Sequence, residues 1–400
     1  MVHAVKLIES ADALNDLANR LKGAAALGID TEFVRERSYQ PRLELVQIAA
    51  PDGEIAIVDY GRIGRLDPDP LAPLLADPSI LKVFYAAEQD LEMLHMQTGV
   101  LPDPIWDAQL ALDFFAHAGR RGYASVVESL LGERPKSGES LTDWSRRPLA
   151  PEQLHYAAED VRYLLALHDL ERKRLEGLGR VAWAEEEFQE LRTRVEAAEK
   201  RRKDENNTYQ RIKGWQKLRP RGLAILRELA AWRQREAERR DRPAGTVIRD
   251  DLLVEIARRA PASVGELSRL RGIATGLVER HAAALTQAIE AGKSVPASAL
   301  PPPAPEGVDL DDRERALVWL LQAVLQVIAV EKQISASLVT SSAEVQRLVF
   351  AKSHGEPSDD LRLLRGWRRQ AVGEELLAVL DGRRRVAWDP DRRTLRLEEL

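Results

Sequence analysis

The sequence contains no cysteine among its 400 residues, which excludes structural disulfides, cysteine-ligated zinc and a thiol nucleophile. It also lacks any apolar run near the roughly 18 residues that a membrane-spanning helix needs. Its first residues soon reach Glu9 and Asp12, so they do not form the apolar segment of a signal peptide. These absences predict a cytoplasmic protein that does not cross or bind a membrane.

Charged residues are abundant, at 31% of the chain, and they are unevenly distributed. Residues 1–199 carry 22 Lys and Arg against 35 Asp and Glu, whereas residues 200–249 carry 16 against 6. An acidic domain followed by a basic stretch indicates nucleic-acid binding. The equally ordinary alternative is the solvated face of an arginine-rich helix.

The first half of the chain reads as an α/β domain. Short apolar or alternating runs, separated by turn residues, predict strands at 26–30, 43–49, 54–59 and 80–85. Helical spacing runs through five segments, at 10–22, 87–97, 105–117, 123–131 and 151–176. The mixture predicts a sheet flanked by helices, in a domain that covers residues 1–195.

The second half reads as two small all-α helical-bundle domains. A charged connector, 196–214, leads to the first bundle, 215–293, which has no strand signal. Residues 294–308 contain five prolines and predict a semi-rigid linker. Residues 309–400 are helical again and end in a hairpin, which we interpret as a second bundle domain.

Two carboxylates follow the first apolar strand of the sheet domain. Asp30 and Glu32 are two residues apart, so both side chains point to the same side of the strand. Like charges in such a position repel each other unless a cation lies between them. Asp90 follows a later strand, within the first turns of a helix. Taken singly, these acids could equally be a solvated pair and an ordinary helix N-terminal acid.

The third element lies on a helix, where Tyr156 precedes Asp160 by four residues and His155 precedes it by five. Four residues turn about 400°, about 40° from alignment, while five turn about 500°, about 140° away. This favours Tyr156 as the partner of Asp160 and leaves His155 packed or solvated. Four acids with one phenol suit Mg²⁺ or Mn²⁺, and two such ions can drive phosphodiester hydrolysis.

In this order the residues resemble the Exo I, II and III motifs of the DEDD 3′→5′ exonucleases, and the tyrosine resembles their DEDDy branch. Two longer stretches, Asp30 to Gln47 and Leu141 to Asp160, are similar to the ribonuclease D family. The two helical domains are similar to the helicase-and-RNase-D C-terminal (HRDC) domains of that family, the second in a diverged form. The resemblance implies an RNase H-like mixed sheet and covers nearly the whole chain.

The resemblance also implies a role for each motif residue. Asp30 would bridge two divalent metal ions, Mg²⁺ or Mn²⁺, and Glu32 and Asp160 would bind the first of them. Asp90 would hold the second ion. Tyr156 would hydrogen-bond the attacking water and orient it toward the terminal phosphodiester. All five residues are therefore expected to be catalytic, and the four acids to be metal ligands.

The substrate implied by the resemblance is RNA, such as a tRNA precursor or another structured RNA with a 3′ extension, trimmed by a monomeric enzyme to nucleoside 5′-monophosphates. Thr31 and Phe33 would contact the substrate, although Phe33 suits a core position equally well. Tyr209 and Trp215, within the basic stretch, would stack on single-stranded bases. The alternatives are a 3′→5′ DNA exonuclease and a non-catalytic RNA-binding protein.

Overall fold

The computed structural model describes residues 5–116, 121–135, 142–304 and 307–399. Leu141, at the start of the third motif stretch, lies outside the described residues, and so do Pro305 and Glu306 of the proline-rich linker. Among the described residues, no helix combines the length and the apolar character that a bilayer crossing requires.

A mixed six-stranded sheet forms the centre of the first domain and confirms the predicted α/β class. Its strands in chain order are β1 Val5–Ile8, β2 Ala26–Val34, β3 Arg42–Ala49, β4 Ile55–Asp59, β5 Leu81–Phe84 and β6 Ile105–Asp107. In space they run β1-β4-β3-β2-β5-β6. β3 is antiparallel to β2 and β4, and the other neighbouring pairs are parallel. β2 is therefore a central strand, which explains its near-continuous apolar run.

Helices surround this sheet. They are α1 Ala11–Leu21, α2 Tyr60–Ile63, α3 Ala72–Ala76, α4 Glu88–Thr98, α5 Ala108–Leu112, α6 Tyr123–Leu131, α7 Pro151–Arg162, α8 Leu164–Leu178 and α9 Val181–Lys203. Ser10 caps α1 by accepting a hydrogen bond from the Ala13 N–H at 3.3 Å. The apolar stripe of α1, with Leu14 and Leu17 almost fully buried, packs into the sheet domain's core.

Two expectations about these elements were wrong. The segment 105–117 does not begin as a helix, because residues 105–107 pair with β5 and Asp107 then caps α5 through the Gln109 and Leu110 N–H groups. The segment 151–176 is two helices rather than one. They meet at Tyr163, whose N–H leaves the helical pattern and donates to the Tyr123 hydroxyl at 3.2 Å.

The first helical module comprises the helices of residues 205–293. After 3₁₀ turns at Glu205–Arg211 and Trp215–Lys217 it contains α10 Pro220–Arg239, α11 Ala244–Val247, α12 Asp250–Arg259, α13 Val264–Ser268 and α14 Thr275–Lys293. Tyr209 is only 3% exposed and Trp215 packs against the same core. The expectation that Tyr209 stacks on bases was therefore wrong, because its ring is needed for the module's own core.

The second helical module, residues 307–399, follows the linker and its short 3₁₀ turn Ala297–Ala299. It contains α15 Asp312–Glu331, α16 Ala336–Val339, α17 Ser342–His354, a 3₁₀ turn Arg362–Leu364, α18 Gly366–Arg368, a π-helical turn Arg369–Gly373, α19 Glu374–Leu380, β7 Arg384–Asp389 and β8 Thr394–Glu399. The first three α-helices of the two modules have matching lengths. They contain 20, 4 and 10 residues in the first module and 20, 4 and 13 residues in the second. The similarity supports a repeat, while the domain boundaries stay predictions.

The two modules relate differently to the sheet domain. The apolar core of the sheet domain continues into the second module, where Trp367 lies 4.9 Å from Phe114 and 5.5 Å from Trp183 between ring centroids. The first module has a separate apolar core. We call the sheet domain through α9, together with the second module, the main body.

Candidate active site

Strand β2 presents the first two candidate acids on one face. Its pairing with β3 is regular as far as Glu32, opposite Leu45, and then shifts so that Phe33 lies opposite Leu43. Such a bulge bends a strand and re-aims the side chains around it. The shift comes directly after Glu32, so Asp30 and Glu32 lie at the end of the regularly paired part of β2.

Helix α7 reaches these acids because Gly28 lies on the same face of β2. A Cβ at Gly28 would stand 3.1 Å from the Cβ of Leu164 and 3.4 Å from the carbonyl oxygen of Val161. A larger residue would push the helices away, so glycine permits the close approach. Asp160, next to Val161, consequently reaches Asp30 and Glu32. One carboxylate oxygen from each of these three acids lies within 4.8 Å of the others.

Asp90 stands beside this cluster, in the first turn of α4. It is 6% exposed, and its Oδ1 accepts a hydrogen bond from the Thr31 hydroxyl at 2.5 Å. Its charge contributes to raising the pKa of both Asp30 and Glu32, so it belongs to the same electrostatic group. Thr31 thus holds a candidate metal ligand in place, and its predicted contact with substrate stays a prediction.

Asp107 positions Asp90 from the end of β6. Its carboxylate accepts hydrogen bonds from the N–H groups of Ala86 and Ala87 at 3.1 and 2.9 Å, immediately before α4. Ala86 has a φ of 60°, a strained conformation for alanine that needs outside support. The sequence reasoning missed Asp107 because it lay inside a segment interpreted as a helix. An aspartate directly ahead of a short apolar helix was the available signal.

Without a cation the acid cluster is electrostatically costly. Burial, followed by repulsion from Asp90, raises the pKa of Asp30 well above its ordinary value. Burial and the neighbouring acids raise the pKa of Glu32 to about 10 and that of Asp160 to about 8. Burial raises the pKa of Asp90 to about 7, although the Thr31 hydrogen bond opposes the shift. Hard divalent cations prefer such all-oxygen sets, so these residues fit Mg²⁺ or Mn²⁺.

Tyr156 faces the acids and His155 does not. The Tyr156 side chain is half-buried beside Trp144, with ring centroids 6.2 Å apart. Burial, then the charges of Asp160 and Glu32, raises the pKa of the Tyr156 hydroxyl. His155, one residue earlier on α7, is exposed to solvent. The structure therefore agrees with the argument from helical spacing, which placed Tyr156 and not His155 on the same side of the helix as Asp160.

Tyr123 is a second tyrosine near the cluster, which the sequence reasoning did not single out. Its hydroxyl donates to the Glu159 carbonyl and accepts from the Tyr163 N–H, both at 3.2 Å. The charges of Asp160 and Asp30 contribute to raising its pKa, after burial. It therefore braces the end of α7 at the point where α8 begins.

The two longer motif stretches contact each other. Arg37 donates to the carboxylate of Asp143 at 2.9 Å and to the hydroxyl of Ser145 at 3.1 Å. Arg147 forms a partly buried ion pair with Asp59 at the end of β4. The segment before α7 is thereby fixed on the sheet, which sets the position of the helix that carries Tyr156.

An open cavity of about 800 Å³ adjoins Asp90. Phe33 lines it, half-buried, with the Arg35 guanidinium 4.7 Å from its ring centroid. Leu338 and Arg362 of the second module form part of the opposite wall. Phe33 is therefore available at the cavity surface, as a substrate contact requires.

These features define the class of the sheet domain. A family model described as a 3′-5′ exonuclease matches residues 5–176, and the model of the HRDC domain matches residues 222–289. Acids on β2, α4 and α7 all lie within the exonuclease match.

Full-length relatives then identify the family. Ribonuclease D of Gluconacetobacter diazotrophicus is 38% identical over 96% of this chain and 95% of its own length. Ribonuclease D of Escherichia coli K12 is 35% identical over 94% of this chain and 98% of its own. The crystal structure of Escherichia coli RNase D superposes with a TM-score of 0.80 at 32% identity, over 95% and 99% of the two chains. The chain belongs to the ribonuclease D family.

Proposed function

We propose that this protein is a metal-dependent 3′→5′ exoribonuclease, which hydrolyses the terminal phosphodiester of RNA and releases a nucleoside 5′-monophosphate. The observation that carries the proposal is the convergence of Asp30, Glu32 and Asp160 within 4.8 Å, with Tyr156 alongside. The Escherichia coli relative is described as an exoribonuclease involved in structured RNA processing. We extend this to substrates of the same kind, tRNA precursors and other structured RNA with 3′ extensions.

The four acids divide into two groups for metal binding. Asp30, Glu32 and Asp160 would hold one divalent ion, and Asp30 with Asp90 would hold a second. When bound, two such ions activate a water and stabilise the charge on the leaving oxygen. Thr31 keeps Asp90 in the orientation that ligation needs, through its hydroxyl donor.

Tyr156 contributes a hydroxyl group that stays protonated at neutral pH, because burial and the nearby carboxylates raise its pKa. It therefore orients a water by hydrogen bonding and does not remove a proton from it. Phe33 would pack against the terminal base from the side of the cavity, as aromatic rings do with single strands.

A denaturing-gel time course tests the proposal. The substrate is a 5′-labelled tRNA precursor with a 3′ extension, beside an all-DNA copy, in Mg²⁺, Mn²⁺ or EDTA. A one-nucleotide ladder on RNA that disappears in EDTA is expected, and Asp30→Asn should abolish it while RNA binding persists. Equal or faster cleavage of DNA would instead indicate a DNA exonuclease. A gel shift without cleavage would indicate a binding protein.

The proposal includes a monomer that acts in the cytoplasm. All five candidate catalytic residues lie on one chain, so the site does not need a second copy. Light scattering on the purified protein is expected to give the mass of one chain, 44.8 kDa. Twice that mass at working concentration would contradict the monomer.

A further inference from the structure

A second cavity, of about 690 Å³, lies between the main body and the first helical module. Arg35 and Glu92, an ion pair at 3.3 Å, line both this cavity and the one beside Asp90, so the two cavities are neighbours that meet at this pair. Asp90, Phe33 and the Arg35–Glu92 pair thus follow one another along the surface toward the junction between the main body and the first module.

Arginines dominate this second cavity, which we call the arginine groove. Five arginines line it, namely Arg35, Arg201, Arg202, Arg211 and Arg235, against three glutamates. Two of the glutamates are paired within the groove. Glu92 contacts Arg35 at 3.3 Å, and Glu199 contacts Arg202 through two bonds of 2.8 Å. The groove thus carries an excess of positive charge, and Arg201, Arg211 and Arg235 are exposed in it.

One tyrosine joins the two walls of the groove. The Tyr39 N–H donates to Asp241 of the first module at 3.1 Å, and Gln234 of α10 donates to the Tyr39 hydroxyl. The Tyr39 ring, which comes from the main body, packs against the first module's core. The two walls of the groove are therefore joined to each other by direct contacts.

From this arrangement we infer that the arginine groove binds the backbone phosphates of the single-stranded RNA just upstream of the 3′ end. The inference deepens the proposed function and rests on it. A strand whose terminal nucleotide lies at the acid cluster must leave along the surface of the protein, and the open cavity beside Asp90 and Phe33 borders the arginine groove at Arg35 and Glu92. Guanidinium groups bind phosphates bidentately, and a basic groove that follows the backbone is the usual way of holding a single strand without reading its sequence.

The kinetic test compares a long substrate with a dinucleotide, which is too short to leave the acid cluster. The ratio of kcat/KM for a single-stranded 12-mer to that for the dinucleotide is measured in wild type and in Arg201→Gln/Arg211→Gln/Arg235→Gln. We expect the ratio to fall at least about tenfold at low salt, because three phosphate contacts are lost. A matched control removes the same charge at exposed arginines outside the groove, Arg313→Gln/Arg369→Gln/Arg392→Gln. If the kcat/KM ratio of the groove variant falls no further than that of the control variant, the inference is overturned.

A binding measurement separates failure of the groove from failure of the proposed function. The affinity for a fluorescent 12-mer RNA is measured in EDTA, where no cleavage occurs, over a range of salt concentrations. The slope of log Kd against log salt should decrease by about 2 in the groove variant, at about 0.7 per lost phosphate contact. An unchanged slope contradicts the groove even if the enzyme is active. A reduced slope supports it even if wild type cleaves neither substrate.

Discussion

Tyr156 and His155 are neighbours on α7, but only the tyrosine lies among the carboxylates. Tyr156→Phe removes the hydroxyl that we propose orients the attacking water, and it keeps the ring that packs near Trp144. We expect kcat to fall by roughly 100-fold while KM and metal dependence change little. His155→Ala is the matched control and should stay within about twofold of wild type, because the side chain is exposed. Single-turnover cleavage of RNA measures both. A reversed pattern would assign the role to the histidine.

The acid cluster makes stability depend on pH when metal is removed. The raised pKa values of Glu32, Asp160 and Asp90, to about 10, 8 and 7, mean that the folded protein binds protons which the unfolded chain has released. Stability in EDTA is therefore present at low pH and is lost as pH rises from about 4.5 through these values. We expect Tm in EDTA to fall between about pH 6 and pH 8.

Metal should reverse this trend, because cations replace the protons. The rise in Tm caused by Mn²⁺ is expected to be larger at about pH 8 than at about pH 6, and to shrink in Asp30→Asn. Differential scanning fluorimetry measures all of these values. A metal effect that does not depend on pH would contradict the raised pKa values.

At the residue scale the sequence was informative wherever spacing alone fixes geometry. Asp30 and Glu32 share a face because strand side chains alternate, and Tyr156 and Asp160 share one because a helix nearly repeats every four residues. Gly28 and Asp107 could not be found in this way. Their roles depend on what lies opposite them in space, the carbonyl of Val161 and the N–H groups of Ala86 and Ala87.

At the scale of elements, the junction of β6, α4 and α5 is organised by Asp107, which accepts four backbone N–H hydrogen bonds. Asp107→Asn replaces one acceptor oxygen with a donor, so the turn before α4 should relax and Asp90 should move. We expect the Mg²⁺ concentration for half-maximal activity to rise by about 10-fold or more, as for other residues that orient metal ligands.

The control for Asp107 is Asp69→Asn. Asp69 is also buried, at 2% exposure, but it serves the loop ahead of α3 by accepting bonds from Tyr60 and Leu71. That variant should lose stability and keep the wild-type metal dependence. Titration of activity with Mg²⁺ distinguishes the two variants. If wild type, Asp107→Asn and Asp69→Asn reach half-maximal activity at the same Mg²⁺ concentration, Asp107 has only a structural role.

Helices and strands could be predicted where their apolar pattern runs over many residues. They were missed where contacts with distant parts of the chain define them. Helix α1 follows from the apolar periodicity of residues 10–22. Strand β6 has only three residues and is defined by pairing with β5, which no local pattern reveals. At the break between α7 and α8, the Tyr163 N–H donates to the hydroxyl of Tyr123, which is 40 residues away in the sequence.

At the scale of the whole molecule, a buried ion pair joins the second module to the sheet domain. Arg368 and Glu187 are each 1% exposed at their side chains, and Glu187 also accepts from the Trp367 indole at 3.0 Å. Removing Arg368 leaves the buried Glu187 carboxylate with one guanidinium partner, Arg362, which is 2.9 Å away and 40% exposed. We expect Arg368→Met to lower the free energy of unfolding by about 3 kcal/mol, at the lower end of the range for breaking a buried pair.

The neighbouring Arg369 provides the control, because its side chain is 51% exposed and pairs with Glu374 at 3.5 Å. Arg369→Met should cost less than about 1 kcal/mol. Urea unfolding of both variants measures the difference. Similar midpoints for Arg368→Met and wild type would mean that the module is held by its apolar contacts alone.

The sequence was least informative about how the two helical modules pack against the sheet domain. The helical patterning and the proline-rich linker predicted two helical modules in a row, and the resemblance to HRDC domains predicted that the two are similar. They did not predict that the second shares the sheet domain's core while the first keeps its own. That difference depends on the contacts of Trp367 with Phe114 and Trp183, residues far apart in the chain.

The pairing of Glu187 with Arg368 also affects how the protein is made. The two residues are 181 positions apart, and a ribosome adds residues from the N-terminus. At a synthesis rate of about 5–20 residues per second, Arg368 is added roughly 10 to 35 seconds after Glu187. Throughout that interval the face of α9 against which Trp367 packs is not covered by the second module. A chain that stops short of Arg362 lacks both guanidinium partners of Glu187, so we expect an incomplete translation product to be less stable than the full chain.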